Sequence, residues 1–293
     1  MAETRIGISG WRYAPWRGVF YPKGLAQKRE LEYASRQLST VEINGTFYSL
    51  QRPSSFRAWY DATPKHFLFS VKCPRFITHM RKLKDIDEPL ANFYASGVLA
   101  LADKTGPMLW QFPPMFRFNA AKFEAFFEKL PRTFDQAAKI ARGRGERLKL
   151  RSFIPEDPGT REIRHCVEFR HDSFLVPEFI DVLRRHKIGL VLADTARLHP
   201  YTEDITADFV YIRLHGAEQI YASGYTDSAL DWWAARIRAW RAGGEPPDAT
   251  KVSPKKPSAR KSRDIYVYFD NDIKVRAPFD ALNLDKKLKN LAP

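Results

Sequence analysis

Cysteine is nearly absent from this chain: 293 residues hold only Cys73 and Cys166, each in or beside a strand-like segment. Neither has a neighbour at metal-ligand spacing, so a disulfide framework and a cysteine-based zinc site are both excluded. Long hydrophobic runs are also missing. No stretch approaches the ~18 apolar residues of a membrane helix, and mean hydropathy is −0.44. The start, Met1 to Ile6, runs almost directly into a strand without an apolar leader segment, so no secretory signal is expected and a reduced cytoplasmic location is the plain reading. Glycine-rich dinucleotide fingerprints, a P-loop, a Gly-x-Ser-x-Gly elbow and a cysteine with a placed histidine are all lacking. Those absences remove several large enzyme classes at once.

Acidic residues are in short supply, 34 against 48 Lys plus Arg, for a formal net charge of +14. Such an excess raises the question of a polyanionic partner. Much of it lies in two stretches, Lys139–Arg164 and Lys251–Arg263. The second is rich in Pro, Ser and Lys without periodicity and reads as part of a flexible basic insert at about 243–263, for which a solvated loop is the plain alternative.

What the sequence does have is a series of short apolar segments that each end in a polar residue. Strands are expected at Arg5–Ser9, Thr40–Asn44, Phe67–Lys72, Pro107–Gln111, His165–Arg170, Gly189–Ala193, Phe209–Leu214 and Ile265–Phe269. Helical patterns lie between most of them: Arg29–Leu38, Ser54–Asp61, Pro89–Leu101, Ala120–Leu130, Phe134–Leu148, a helix starting near Pro177, and Leu230–Trp240. This order predicts an α/β fold, one single-domain (β/α)8 TIM barrel over residues 1–293, with its chemistry on the face that collects the strand C-termini. Both basic stretches connect a helix to the next strand, which puts them on the opposite face.

Alternation along the strands directs one set of side chains into the barrel. That set comprises Ser9 and Trp11, Glu42 and Asn44, Lys72, Gln111, Glu168 and Arg170, Asp194, the series Tyr211, Arg213, His215, and the series Tyr266, Tyr268, Asp270. Buried charges must be paired, and here the carboxylates Glu42, Glu168, Asp194 and Asp270 nearly balance Lys72, Arg170 and Arg213. The cluster is either a ring of structural ion pairs or a site where cations hold an anionic substrate and a carboxylate or histidine moves protons. Its position at the strand C-termini favours the second. His215-Gly216 is the best acid/base candidate by residue type, against a histidine that merely caps a strand end. His79, in the basic loop after the third strand, either reaches the mouth or is solvated; His171 shares the loop mouth with Arg170. Trp11, Tyr13 and Trp16 form either an aromatic wall or a hydrophobic plug.

Several strings resemble, in order, the YecE-like family (domain of unknown function 72). They are Ile8-Ser-Gly-Trp-Arg-Tyr13, Trp16-Arg-Gly-Val-Phe-Tyr-Pro22, Thr40-Val-Glu-Ile-Asn-Gly-Thr-Phe-Tyr48, Phe69-Ser-Val-Lys-Cys-Pro-Arg75 with Thr78-His79, and Gln111-Phe-Pro-Pro114. Glu168-Phe-Arg-His171, Tyr211-Ile-Arg-Leu-His-Gly216 and Tyr266-Val-Tyr-Phe-Asp-Asn-Asp272 complete the set. The resemblance spans nearly the whole chain and implies a TIM barrel; it implies no activity. Gly45, where the family often has Ser, Phe174, where it often has Trp, and the basic insert before the last strand depart from its pattern.

The function expected from these residues is an enzyme acting on a small anionic substrate, phosphorylated, carboxylated or sugar-like. Glu42, Glu168, His215 and Asp270 are the candidate catalytic groups: Glu168 or Glu42 as base or nucleophile, His215 as acid, Asp270 orienting it. Trp11, Asn44, Lys72, His79, Gln111, Arg170, Asp194 and Arg213 are the candidate substrate-binding groups. No cofactor is expected; a divalent metal held by strand-end Glu, Asp and His is an open variant, as in metal-dependent barrel nucleases. A nucleic-acid binder using the basic inserts is the alternative from another class.

Overall fold

A strand with apolar residues on one side and polar residues on the other must meet a helix layer outside and something polar within. A closed barrel satisfies both. The computed structural model, which describes residues 2–289, has eight parallel strands closed in sequence order: β1 (Thr4–Ser9), β2 (Thr40–Ile43), β3 (Leu68–Lys72), β4 (Thr105–Gln111), β5 (His165–Glu168), β6 (Gly189–Asp194), β7 (Phe209–Leu214) and β8 (Asp264–Phe269). Register is in phase where it matters, with Ser9 beside Glu42, Gln111 beside Glu168 and Arg213 beside Tyr268. The fold is the TIM barrel that the sequence order predicts. Among the described residues no helix is long and apolar enough to cross a membrane.

The outward set, for example Ile6, Ile8, Val41, Ile43, Val210, Ile212, Val267 and Phe269, packs under the helices. The inward set forms a second core of Leu109, Cys166, Val191, Ala193, Phe209, Tyr211, Tyr266 and Tyr268. Its phenols are satisfied by small hydroxyls: Tyr211 Oη lies 2.7 Å from Ser70 Oγ, and Tyr268 Oη 2.9 Å from Thr40 Oγ1. A polar barrel interior is thus tolerable because its members bond one another.

Helices α1 (Glu30–Gln37), α2 (Gly45–Tyr48), α3 (Pro53–Asp61), α4 (Asp87–Ala95), α5 (Ala120–Lys129), α6 (Phe134–Ala141), α7 (Pro177–Arg185), α8 (Asp227–Arg241) and α9 (Ala277–Lys289) complete the chain. Proline occupies the first turn of α3 and α7, where its missing N–H and fixed φ suit the helix start. Asn119 caps α5 by accepting from Lys122 N at 2.9 Å, and Phe123, Phe126 and Phe127 give that helix its buried face. The expected helix Pro89–Leu101 instead breaks at Gly97, whose φ of +118° is open to glycine; a Cβ there would also lie 2.5 Å from Pro53 Cα. The chain resumes as a 3₁₀ turn at Val98–Lys104. The expected helix Phe134–Leu148 stops at Ala141, just before Gly143 and Gly145. The sequence pattern gives no expectation for the α2 turn, for a π turn at Phe76–Met80 or for α9; the first two are single turns, which carry too little periodicity.

Between β6 and β7 there is no helix; residues 195–208 cross as irregular chain. This bare crossover and segment 243–263, itself without helix or strand, bond to one another, the crossover's carboxylates meeting the segment's backbone N–H groups. Glu203 N donates to Thr250 O and Thr250 N to Glu203 Oε2, both at 2.7 Å. Buried Asp204 accepts from Val252 N and Ser253 N at 2.9 and 3.1 Å, and Arg236 donates to Glu203 at 2.7 Å. Arg263 is buried, donating to Gly244 O at 3.1 Å.

Strand packing is tightest at Gly7, where an added Cβ would lie 1.8 Å from Thr40 O across the β1–β2 seam. Backbone on both sides leaves no flexible group to yield. Gly7→Ala is therefore expected to lower the urea-unfolding free energy by about 3 kcal/mol, the upper range for overpacking; a loss under about 1 kcal/mol would show that the seam can part.

Candidate active site

The C-terminal mouth is organised around one side chain. Arg213, fully buried on β7, spends its donors in every direction. Nε donates to Glu42 Oε2 at 3.1 Å, Nη1 to Glu168 Oε2 at 2.8 Å, and Nη2 to Glu42 Oε1 and Asp270 Oδ2, each at 2.9 Å. The fork geometry of guanidinium is what lets one cation meet three carboxylates from β2, β5 and the end of β8. Their charge holds Arg213 protonated well above even its ordinary range, against the opposing effect of burial.

Glu42 is saturated. Besides Arg213, its oxygens accept from Tyr211 Oη at 2.6 Å and from Ser9 Oγ. Glu168 also receives Arg170 through Nε at 2.9 Å and Nη2 at 2.8 Å. Burial pushes Glu168 up, but Arg213 and Arg170 outweigh it and hold the carboxyl well below its usual range. Asp270 experiences the same contest, burial against Arg213 and His215, and ends at about 2.

His215 closes the lattice. Its Nε2 lies 3.1 Å from Arg213 Nη1. A guanidinium only donates, so Nε2 accepts and the ring proton sits on Nδ1. Nδ1 is 3.0 Å from Asp270 Oδ2, within ion-pair contact but off the line of a good hydrogen bond. Tyr221, at a left-handed φ of +64°, places its ring edge-on against His215 with centroids 5.4 Å apart.

The remaining sequence candidates fall into flanking groups. Lys72, buried at the end of β3, has its Nζ over the Phe47 ring at 4.4 Å. Burial and the Arg213 charge lower its amine to about 8, although Glu168 and Glu42 pull the other way. His79 stands edge-on to the same Phe47 at 5.1 Å and bonds Thr78 Oγ1 through Nδ1 at 2.8 Å; burial and Lys72 lower it to about 4. Gln111 is buried at the end of β4 with its Oε1 unpartnered. Trp11 and Asn44 do not join the charges. They line a side cavity of about 270 Å³ with Gly45 and Trp59, Trp11 edge-on to Trp59 at 5.3 Å.

Asp194 also lies apart, because Val191 and Ala193 are the inward residues of β6. It accepts from Tyr225 Oη at 2.9 Å and lines a separate cavity of about 200 Å³ with His199, Tyr201 and Trp233. Burial raises its carboxyl above the ordinary value. Trp16 is a plug, fully buried with Nε1 donating to Asp272 O at 3.2 Å.

Sequence reading missed two groups. Phe47 supplies the face against which both Lys72 and His79 stand, and aromatic content alone gives no signal for that. Asp272 is half-buried beyond β8, and burial together with the Asp270 charge raises it to about 6; the like-charge spacing Asp270-Asn-Asp272 was the available cue. Among the described residues no group of three or more His, Cys, Asp or Glu side chains is placed to hold a metal ion.

A group whose folded pKa lies below its unfolded value stabilises the fold fully above the unfolded pKa and loses that effect as pH falls through the folded one. For Asp270 the window runs from about 4, the unfolded carboxylate, down to about 2. Asp270→Asn is expected to flatten the pH dependence of unfolding free energy across that window. Equal slopes in variant and wild type would mean that Asp270 is not held by the lattice.

Comparison with known proteins gives a consistent set. A family model described as a protein of unknown function, DUF72, matches residues 5–292. The UPF0759 protein YecE of Escherichia coli (strain K12) is 27% identical over 208 residues, which cover 68% of this chain and 63% of that protein. The match thus spans less than two thirds of that relative's length. The UPF0759 protein YunF of Bacillus subtilis (strain 168) is 31% identical over 116 residues, 38% of this chain and 40% of that one. Among solved structures, a DUF72 family protein from Thermotoga maritima has a TM-score of 0.73 at 25% identity, covering 98% of this chain and 99% of the other. One from Enterococcus faecalis V583 has a TM-score of 0.67 at 18% identity, covering 99% and 96%, a likeness of fold alone.

Proposed function

The chain belongs to the DUF72 family, and from the geometry of its barrel mouth we propose that it is an enzyme acting by acid–base chemistry on a small anionic substrate. The observation that carries this reading is the gathering of Glu42, Glu168, Asp270, Arg170 and Arg213 at the strand C-termini around a Lys72 amine that is unpaired among the described residues. There Lys72 is lowered to about 8 and Asp272 raised to about 6. Both respond to Asp270, and two titratable groups displaced toward each other are what assigns acid and base roles at neutral pH. Roles divide accordingly. Glu42, with its four donors, and Arg213 are the scaffold rather than the reacting groups; Glu168 orients Arg170; His215 and Tyr221 hold Asp270 in place. Arg170, Lys72 and His79 form the side that receives the anion, and Asp270 and Asp272 the side that handles protons.

Ligands that bind only the folded state raise its melting temperature by mass action, about 2.7 kcal/mol of added stability at a hundred times Kd. A thermal-shift panel of phosphate esters and small carboxylates is expected to give a shift that Arg170→Met removes. Affinity should be highest below pH 6. It should then fall as Asp272 ionises through about 6 and Lys72 deprotonates through about 8. Absence of a shift with every anion, or a shift untouched by Arg170→Met, would overturn the reading.

A second reading, a polyanion or nucleic-acid binder, is favoured by one observation. On the opposite face of the barrel a cavity of about 550 Å³ is lined by Arg132, Arg164, Arg184, Lys187 and Arg260, with Glu162 and Asp208 as counter-charges. Both basic stretches contribute, Arg164 from the first and Arg260 from the second. Phosphate-backbone binding is steeply salt dependent. If this reading holds, Lys187→Glu with Arg260→Glu should abolish oligonucleotide binding at low salt, and Asp272→Asn should leave it unchanged; binding that survives the double variant would dismiss this face.

A further inference from the structure

We propose that Lys72 is a catalytic amine that forms an imine with the substrate, which makes the substrate a small aldehyde or ketone bearing a phosphate or carboxylate. This rests on the enzyme reading above and narrows it to one substrate class.

The position is prepared for a nucleophile in three ways. First, the backbone is fixed: Lys72 O accepts from Thr46 Oγ1 at 2.7 Å, and the same hydroxyl is 3.0 Å from Ile43 O, so β2, α2 and the end of β3 are tied together where the side chain departs. Second, the amine is left without a partner. Among the described residues Lys72 makes no ion pair or hydrogen bond through Nζ, although Glu42, Glu168 and Asp270 are close enough to act on it electrostatically. Those carboxylates are instead engaged by Arg213 and Arg170. Third, one side of the amine is covered by the Phe47 ring face, 4.4 Å away, which shields it from water and offers no oxygen to engage it. The ring also lines a cleft of about 690 Å³ together with Tyr48, Pro74, Arg75 and Ile77.

The step balances within the site. The lysine ammonium and a carbonyl give an iminium ion and water. The nitrogen sheds one proton, its lone pair forms the C–N bond, and the carbonyl π pair moves to oxygen; the nitrogen then loses a second proton, and the lone pair it regains forms the C=N bond as the C–O bond breaks. That oxygen leaves with both protons that nitrogen lost, and nothing is oxidised or reduced. The single positive charge of the ammonium reappears on the iminium, so the surrounding carboxylates face the same charge before and after. A lone buried lysine among carboxylates already matched by arginines suits that requirement better than a lysine held in a salt bridge. The iminium then draws electrons from the adjacent carbon, which can release a proton.

Trapping tests it directly. The full-length protein at pH 7 is incubated with glyceraldehyde 3-phosphate or pyruvate in the presence of sodium cyanoborohydride, then analysed by intact mass and peptide mapping. The expected result is one adduct, on Lys72, formed at least tenfold faster than on any other lysine and absent in Lys72→Arg, whose melting temperature confirms that it folds. The adduct rate should rise with pH to a midpoint near 8. The groups facing the amine are Glu42, Glu168, Asp270, Arg213, Arg170 and His79; of these His79 titrates near 4 and Asp270 near 2, outside that interval. Adducts scattered over exposed lysines, with Lys72 unmodified, overturn the proposal. Glycerol 3-phosphate, an anion without a carbonyl, separates the two readings. If it raises the melting temperature while Lys72 stays unmodified, the imine fails and the anion site stands; if Lys72 is trapped with no such shift, the imine stands and anion binding by Arg170 fails.

Discussion

Everything at the barrel mouth depends on the charge of Arg213 being fully used. One guanidinium with no exposed surface meets Glu42, Glu168 and Asp270. Removing a member of such a buried set leaves an uncompensated charge and costs about 3–5 kcal/mol. That penalty makes the set behave as a single unit that either assembles whole or not at all. Because Arg213 consumes the carboxylates, the neighbouring amine of Lys72 goes unpaired, and burial together with the charge of Asp270 makes Asp272 resist ionisation. The two adjustable groups of the mouth are by-products of the rigid one.

This division explains why a dense polar cluster is compatible with both readings that the sequence left open. Structural pairing and chemistry are not alternatives at this site. Glu42, with four donors on two oxygens, is a fixture; Lys72 and Asp272, with incomplete partners, are the groups that can change state. A cluster of charges therefore has to be sorted by how many hydrogen-bonding directions each member has left, and only coordinates supply that count.

Fold and register were largely readable from the alternation. Parity along β7 and β8 put Tyr211, Arg213, Tyr268 and Asp270 inside the barrel because a period of two leaves no other choice once one face is apolar. Where the alternation ends the reading weakens. Asp194 is the last residue of β6, and its side chain follows the outward phase to Tyr225, a residue far along the chain. Trp11 lies past the end of β1 and turns to Trp59 rather than to the charges. Breaks at Gly97 and Gly143 were legible as glycine but outweighed by the helical period around them. Phe47 could not be found from sequence, since its importance lies in what stands above its ring.

The crossover between β6 and β7 has a consequence for the order in which the molecule is made. Thr250 satisfies a carboxylate 47 residues earlier in the chain, and Val252 and Ser253 do the same for Asp204. On a ribosome adding ~5–20 residues per second, Glu203 and Asp204 emerge several seconds before their partners. During that interval the barrel wall beside β6 and β7 has neither a helix nor its substitute, and Ile205, buried in the finished structure, is open to whatever is nearby. Closure of the wall beside β6 and β7 therefore waits on the pre-β8 segment.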